Sequence, residues 1–241
     1  MKTVIVTGGS RGIGAAIVKE LSKQNYKVVL NYNNSEEAAK QIKKELEEQG
    51  INIEIFKADV SKREEVKKLV EFTLKKYKKI DVLINNAGID QIKPFMDITD
   101  KEWNKMIQVN LNSVFYCTQE ALKDMIHNKR GCIINMSSIW GICGASCEVH
   151  YSVAKAGIDG MTKALAKEMG PSNIRVNSIA PGLVDTDMNK DITRKEIDRI
   201  KEEIPLGRIA RPEEIVNSVK WLIEDEYVSG QVISVNAGWN I

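Results

Sequence analysis

Cysteine, histidine and net charge are all scarce in this 241-residue chain, and each scarcity excludes something. Cys117, Cys132, Cys143 and Cys147 form no Cys-x-x-Cys pair, and His127 and His150 stand in no metal-type spacing. Neither a disulfide framework nor a metal site is therefore expected. Scattered thiols of this kind fit a reducing compartment. No stretch reaches the roughly 18 apolar residues of a membrane-spanning helix. The apolar run at the N-terminus is too short for a signal segment and leads straight into a glycine turn, so a cytoplasmic location without membrane is expected. Lys and Arg number 35 against 33 acids, interspersed, for a net charge of +2. That balance offers no footprint for nucleic acid or an anionic membrane. No Pro/Gly/Ser linker, low-complexity tract or repeat interrupts the chain, so one domain spanning 1–241 is expected.

What is present is a regular alternation of short apolar runs and amphipathic stretches. Strands are read at 3–7, 27–32, 51–58, 81–86, 131–138, 174–180 and 231–236. Helices are read at 12–24, at about 36–49 behind an N-cap at Ser35, at 62–77, as one or two across 100–128, at about 151–169, and at 212–223 behind a proline start. The segment 183–211 is polar with a helical pattern. This order predicts a single doubly wound, Rossmann-type α/β domain with a mainly parallel seven-stranded sheet covered on both faces.

The first strand ends in Thr7-Gly8-Gly9-Ser10-Arg11-Gly12-Ile13-Gly14. Gly8 permits a tight turn, Gly12 lets the backbone approach a pyrophosphate, and Gly14 allows close helix–strand packing. The helix that follows presents free N–H groups and a partial positive charge to phosphates. In a strand–turn–helix context this glycine pattern is a strong nucleotide signal. A carboxylate at the end of the second strand would take a ribose 2′-OH, but that end reads Leu30-Asn31-Tyr32-Asn33-Asn34-Ser35, with no acid before Glu36. Arg11 inside the turn offers a guanidinium to a 2′-phosphate. The expected cofactor is NADP(H).

The spacing G-x-x-x-G-x-G resembles the short-chain dehydrogenase/reductase family. Its other marks follow in order: Asp59-Val60, Asn85-Asn86-Ala87-Gly88, Asn110, Ser138, Tyr151-x-x-x-Lys155 and Pro181-Gly182. The resemblance covers the whole chain. It implies that Asp59 and Val60 meet the adenine and that Asn86, Ala87 and Gly88 line its ribose. Ser10, Ile13, Pro181, Gly182, Val184 and Thr186 are further cofactor contacts carried over from the matching motifs. It also implies a dimer or, more commonly, a homotetramer, with the last strand and the helix of Tyr151 at subunit contacts.

Tyr151 and Lys155 are four residues apart and share a helix face. A free phenol, with a pKa near 10, exchanges protons poorly at neutrality. A neighbouring ammonium favours the phenolate, so Tyr151 is expected to act as acid toward a carbonyl oxygen or as base toward an alcohol. Ser138 ends a strand, where its hydroxyl could bond the substrate oxygen, and the resemblance places the active hydroxyl there, thirteen residues before Tyr151, rather than at Ser137. The resemblance gives Asn110 a water linking Lys155 to solvent, and gives Lys155 a bond to the nicotinamide ribose. His150 beside Tyr151 is expected to point elsewhere. Ile139, Trp140, Cys143, Ala145, Cys147 and Val149 are expected to line the pocket, and 183–211 to cover it.

Two substrate readings stay open. The chain resembles 3-oxoacyl-[acyl-carrier-protein] reductases, with Lys129 and Arg130 at a basic docking position, although the second such position falls on Ser172 and Ile89-Asp90-Gln91-Ile92-Lys93-Pro94-Phe95 departs from their usual sequence. The string from Ser137 to Lys155 and the ending SVNAGWNI are similar to bacterial elongation factor P 5-aminopentanone reductases. Both imply NADPH and a ketone carried on a protein. A third reading, of another class, is an inactive NADP-binding sensor on the same fold.

Overall fold

The computed structural model describes residues 1–190 and 192–240; Asp191, within the expected cover, and Ile241, in the ending string, lie outside the described residues. Seven strands, β1 (Thr3–Val6), β2 (Lys27–Tyr32), β3 (Glu54–Lys57), β4 (Val82–Asn85), β5 (Gly131–Met136), β6 (Ile174–Pro181) and β7 (Val232–Val235), form one sheet in the order β3-β2-β1-β4-β5-β6-β7. Every pairing is parallel. The chain therefore builds outward from β1 to β3, then returns to lay β4 on the other side of β1. That reversal opens a crevice at the carboxyl ends of β1 and β4, where ligands bind in sheets of this kind.

The central strands are buried on both faces and so read as unbroken apolar runs. Alternate residues face opposite ways. Val4, Val6, Ile84 and Ile134 pack with Ile17 and Leu21 of α1 (Gly12–Lys23), Ile42 of α2 (Glu36–Glu47), and Val219 and Leu222 of a C-terminal helix over Pro212–Glu224. Ile5, Leu83 and Ile133 pack on the other face with Leu69 of α3 (Arg63–Tyr77) and with Ala121 and Met125 of the helix Ser113–His127.

The stretch expected as one or two helices over 100–128 is α4 (Asp100–Ile107), a wide π turn (Gln108–Asn112) and α5 (Ser113–His127). A short helix not read from sequence, α6 (Ile139–Cys143), precedes α7 (Val149–Met169). Within 183–211 the structure has α8 (Arg194–Glu203), opened by a Thr193–Glu196 capping box, before α9 (Pro212–Glu224). Ser35 stands before α2 as expected, but its side chain makes no cap bond. Its backbone ψ of 61° departs from the extended shape of a capping residue.

Ile134 is wholly buried in the central strand β5. Ile134→Ala is expected to cost about 2–5 kcal/mol, read as a lower midpoint in urea unfolding at an unchanged slope.

Candidate active site

At the end of β1 the chain turns so closely over the end of β4 that a Cβ on Gly8 would sit 2.8 Å from the Ala87 Cα; Gly8 also has a left-handed φ of 61°. A side chain at Gly14 would meet the Gly8 carbonyl and, at 2.5 Å, the Asn86 amide. Two residues latch the ends together. The Thr7 hydroxyl accepts from the backbone N–H of Asn86 at 2.9 Å and of Ala87 at 3.1 Å. The Asn86 amide donates to the carbonyls of Thr7 at 3.0 Å and Gly8 at 3.1 Å. Asn31, wholly buried at the end of β2, braces the turn from the other side: its carbonyl accepts from Gly9 at 2.8 Å, and its amide donates to Ala58 at 3.0 Å. Thr7 and Asn31 were missed in the sequence, where polar residues in a strand end were the only available signal.

Helix α1 starts from this turn with no side-chain cap and no acid in its first turn. An uncapped helix start lined by glycine fits a diphosphate. Ser10 is buried in the turn and Ile13 half-buried. The chain after β6 folds back over it. Pro181 closes that strand and the Gly182 N–H bonds Val235 at 3.0 Å. Val184 bridges to Ala210, and the Thr186 methyl lies 3.1 Å from the place of a Cβ on Gly12. Arg11 reaches Asp187 at 3.9 Å, both side chains more than half exposed, a pairing weak enough to exchange for another anion. Asp59 is partly committed elsewhere: its carboxylate accepts from the Ser61 hydroxyl at 2.6 Å and N–H at 3.0 Å. The Val60 side chain is packed in the second core, which leaves its backbone for any nucleotide contact.

Across the crevice the structure brings Ser138, Tyr151, Lys155 and Asn110 together. Ser138 follows β5 in extended backbone, and its hydroxyl caps α6 by accepting from Trp140 at 3.2 Å. Tyr151 lies in the first turn of α7 beside that hydroxyl. The Lys155 ammonium, almost fully buried, donates to the Met136 carbonyl at 2.8 Å and stands 5.4 Å from the Tyr151 ring centre. Gly88 runs between this lysine and Asn110; a Cβ there would be 3.7 Å from the ammonium and 2.7 Å from the Asn110 Oδ1. Asn110 lies wholly buried in the π turn, a frequent signature of functional positions. Its amide clasps Ile89 from both sides, accepting from the N–H at 3.1 Å and donating to the carbonyl at 3.0 Å.

Burial pushes Lys155 down to about 8, against the charges of Asp159 and Asp90. The expectation that this ammonium lowers the Tyr151 pKa is corrected: burial pushes the phenol up, and the carboxyls of Asp90 and Glu148 push the same way, with only the Ser138 hydroxyl opposing. Ser137 points away, donating to the Lys155 carbonyl at 3.3 Å. His150 is wholly buried and faces Gln91 at 3.2 Å rather than the reacting groups. Ile139, expected as pocket lining, is core; Trp140 instead packs edge-on against Trp239 with ring centres 5.1 Å apart. Asp90 and Glu148 were also missed as site residues. They meet side chain to side chain, and burial and the Asp90 charge push Glu148 up to about 8. Among the described residues no group of three or more His, Cys, Asp or Glu is placed to hold a metal ion, and no helix is long and apolar enough to cross a membrane.

Residues 2–197 match the family model described as short chain dehydrogenase. The uncharacterized oxidoreductase YmfI of Bacillus subtilis is 40% identical over 242 residues, which cover 99% of this chain and 99% of that protein. The 3-oxoacyl-[acyl-carrier-protein] reductase FabG of Chlamydia trachomatis is 42% identical over 243 residues, 98% of this chain and 96% of that protein. The reductase of the same name from Staphylococcus epidermidis is 36% identical, with 98% of each chain covered.

Glu148 carries a testable pH signature. Its folded pKa lies above the unfolded value, so the protonated form stabilises the fold at low pH and that stability is lost as pH rises from 4.5 to about 8. Glu148→Gln removes the titration. Its melting temperature is expected to rise relative to that of the native protein across this window, measured by thermal scans at stepped pH. A difference that stays constant with pH refutes the raised carboxyl.

Proposed function

Because the chain belongs to the short-chain dehydrogenase family, we propose that it is an NADPH-dependent reductase of ketones carried on a protein, of the 3-oxoacyl-[acyl-carrier-protein] reductase type. The observation that carries this reading is the convergence of Ser138, Tyr151 and Lys155 on one side of a crevice whose other side is an uncapped, glycine-lined helix start. The names of two full-length relatives support the substrate class.

In this reading the turn Gly8–Gly14 holds the diphosphate against the start of α1. Arg11 exchanges Asp187 for the 2′-phosphate that distinguishes NADP from NAD. Asp59 and the Val60 backbone border the adenine, Asn86, Ala87 and Gly88 its ribose, and Val184 and Thr186 close over the phosphates. When bound, the nicotinamide supplies the hydride. The Ser138 hydroxyl holds the carbonyl oxygen and the Tyr151 hydroxyl gives it a proton. Lys155 holds its charge 5.4 Å from the Tyr151 ring, where an ammonium opposes the burial that disfavours the phenolate. Asn110 keeps Gly88 and Ile89 against Lys155, so the ammonium stays aimed. The half-buried edge strand β7 and the exposed Phe115 and Val153 on α5 and α7 support assembly as a homotetramer. A cytoplasmic place is consistent with these roles.

A second reading, reduction of a ketone on elongation factor P, is favoured by the segment Ile89–Phe95, which departs from the usual sequence of the carrier-protein reductases and whose Asp90 charge acts on the Tyr151 phenol. Parallel NADPH-oxidation assays with acetoacetyl carrier protein and with ketone-bearing elongation factor P separate the two. Tyr151→Phe is expected to lower kcat by about a hundred- to ten-thousandfold with NADPH binding retained; unchanged cellular function in that variant favours the inactive-sensor reading. Arg11→Ala is expected to raise the KM for NADPH about tenfold and leave that for NADH alone, the size of one charge-assisted contact.

A further inference from the structure

One buried carboxyl near the reacting groups has no part in the chemistry above. Asp159 is 6% exposed on α7, one turn beyond Lys155 and two beyond Tyr151. The three residues follow at steps of four and share one side of the helix. Ser178 of β6 donates its hydroxyl to one carboxyl oxygen at 2.8 Å. The other oxygen is buried and has no hydrogen-bond partner. Burial pushes the carboxyl up from its ordinary range; the hydroxyls of Ser178 and Ser137, and after them the charges of Lys163 and Lys155, oppose that. An apolar side chain would pack here without that cost, as the buried Ala154 and Ile158 of the same helix do. A buried, half-satisfied carboxyl therefore calls for an explanation.

Lys155 supplies one. Among the described residues its ammonium has one hydrogen-bond acceptor, the Met136 carbonyl at 2.8 Å. A single carbonyl does not balance a desolvated charge, and burial draws Lys155 down to about 8. Two carboxyls oppose that pull: Asp159 from the same helix is the stronger, and Asp90 from the segment after β4 the weaker. Their effects on the phenol differ. Asp90, with Glu148, also pushes the Tyr151 phenol up, against the phenolate that proton transfer leaves, whereas Asp159 is not among the groups that act on it. Helix geometry gives the reason, since eight residues rise about 12 Å and four about 6 Å. The Asp159 charge thus supports the ammonium and leaves the phenol alone. Lys163, one turn further along and exposed, competes for Asp159 from the solvent side, where water weakens it. The Asn110 amide and the Ser138 hydroxyl, which complete the surroundings of Lys155 and Tyr151, carry no charge.

We propose that Asp159 is a positioning residue for the reduction: its carboxylate, fixed by Ser178, keeps the Lys155 side chain an ammonium at neutral pH and so maintains the positive charge beside Tyr151. This rests on the reductase reading above and deepens it by naming the residue that sets its alkaline limit. Reduction needs Lys155 charged, so activity falls as pH rises through the pKa of that lysine. Removing the Asp159 charge leaves burial less opposed, lowers that pKa and brings the fall to lower pH.

The test follows kcat/KM for acetoacetyl carrier protein against pH in the full-length enzyme at saturating NADPH, with ketone-bearing elongation factor P as the alternative substrate. The native profile is expected to fall near pH 8. In Asp159→Asn, which is isosteric and keeps an oxygen for Ser178, the fall is expected about one pH unit lower, a loss of about fivefold at pH 8 and little at pH 6. Ser178→Ala strips the carboxyl of its donor; it is expected to move the fall the same way, and decides the matter if the first variant does not fold. A loss of equal size at every pH, with the midpoint unmoved, marks Asp159 as a structural residue and overturns the proposal while the reductase reading stands. Melting temperatures give a readout without substrate. Asp159→Asn is expected to cost more with Lys155 present than in a Lys155→Met background, and strictly additive changes overturn the pairing. A native enzyme that binds NADPH yet reduces neither ketone overturns the reductase reading, and the role of Asp159 in reduction with it.

Discussion

The close approach of the ends of β1 and β4 is the contact on which the rest of the site depends. Thr7 and Asn86 are 79 residues apart in sequence yet exchange four hydrogen bonds between their side chains and the adjoining backbone. Nothing larger than hydrogen fits at Gly8 or Gly14 without parting the strands. The parallel order places β4 against β1, and the latch converts that neighbourhood into a fixed distance. The glycine turn and the segment Gly88–Asp90 thereby become one rigid edge. Asn110 clasps that edge from the π turn, and Lys155 meets it from α7.

The chemistry concentrated there is bought with burial. Tyr151, Lys155 and Asn110 are all nearly or wholly out of water, as are Asn85, Asn135 and Ser178 beneath them. Most of that polarity is matched in place. Asn85 donates to Asn135 at 2.9 Å, Asn135 to Thr162 at 2.9 Å, and Ser178 to Asp159 at 2.8 Å, a ladder crossing the sheet under the crevice. Such a ladder fixes side-chain positions more firmly than apolar packing does, because a slipped register leaves several groups unpaired at once. Lys155 is the exposed nerve of this arrangement, its charge offset by one carbonyl and by carboxylates at a distance.

The sheet was legible because fully buried parallel strands leave unbroken apolar runs, and the strand Lys27–Tyr32 was read with its observed bounds. The phosphate turn was legible for the same kind of reason: a demand on backbone space leaves glycine at fixed positions. What escaped reading depends on contacts distant in sequence. Nothing around Gln108–Asn112 announces an extra residue in the helix, since the bonds that hold Asn110 in place run to Ile89. The short helix α6 was not read because Gly141 interrupts its pattern and Gly144 ends it after one turn. The pKa of Tyr151 was misjudged because its neighbour in the helix is plain in the sequence, while the burial that pushes the phenol up, and after it the charge of Asp90, come from segments distant in sequence.

The wide turn at Gln108–Asn112 amounts to a phase slip. In an ordinary helix each residue advances the direction of its side chain by about 100°. Met106, Asn110 and Cys117 follow one another at steps of four and seven residues, so an unbroken spiral would set all three on one side. One residue more than the regular repeat turns the stripe Cys117–Ala121–Met125 of α5 by about 100° away from that side. The irregularity is thus a gear offset between two parts of one rod: Asn110 is left facing Ile89 while the stripe of α5 meets the sheet.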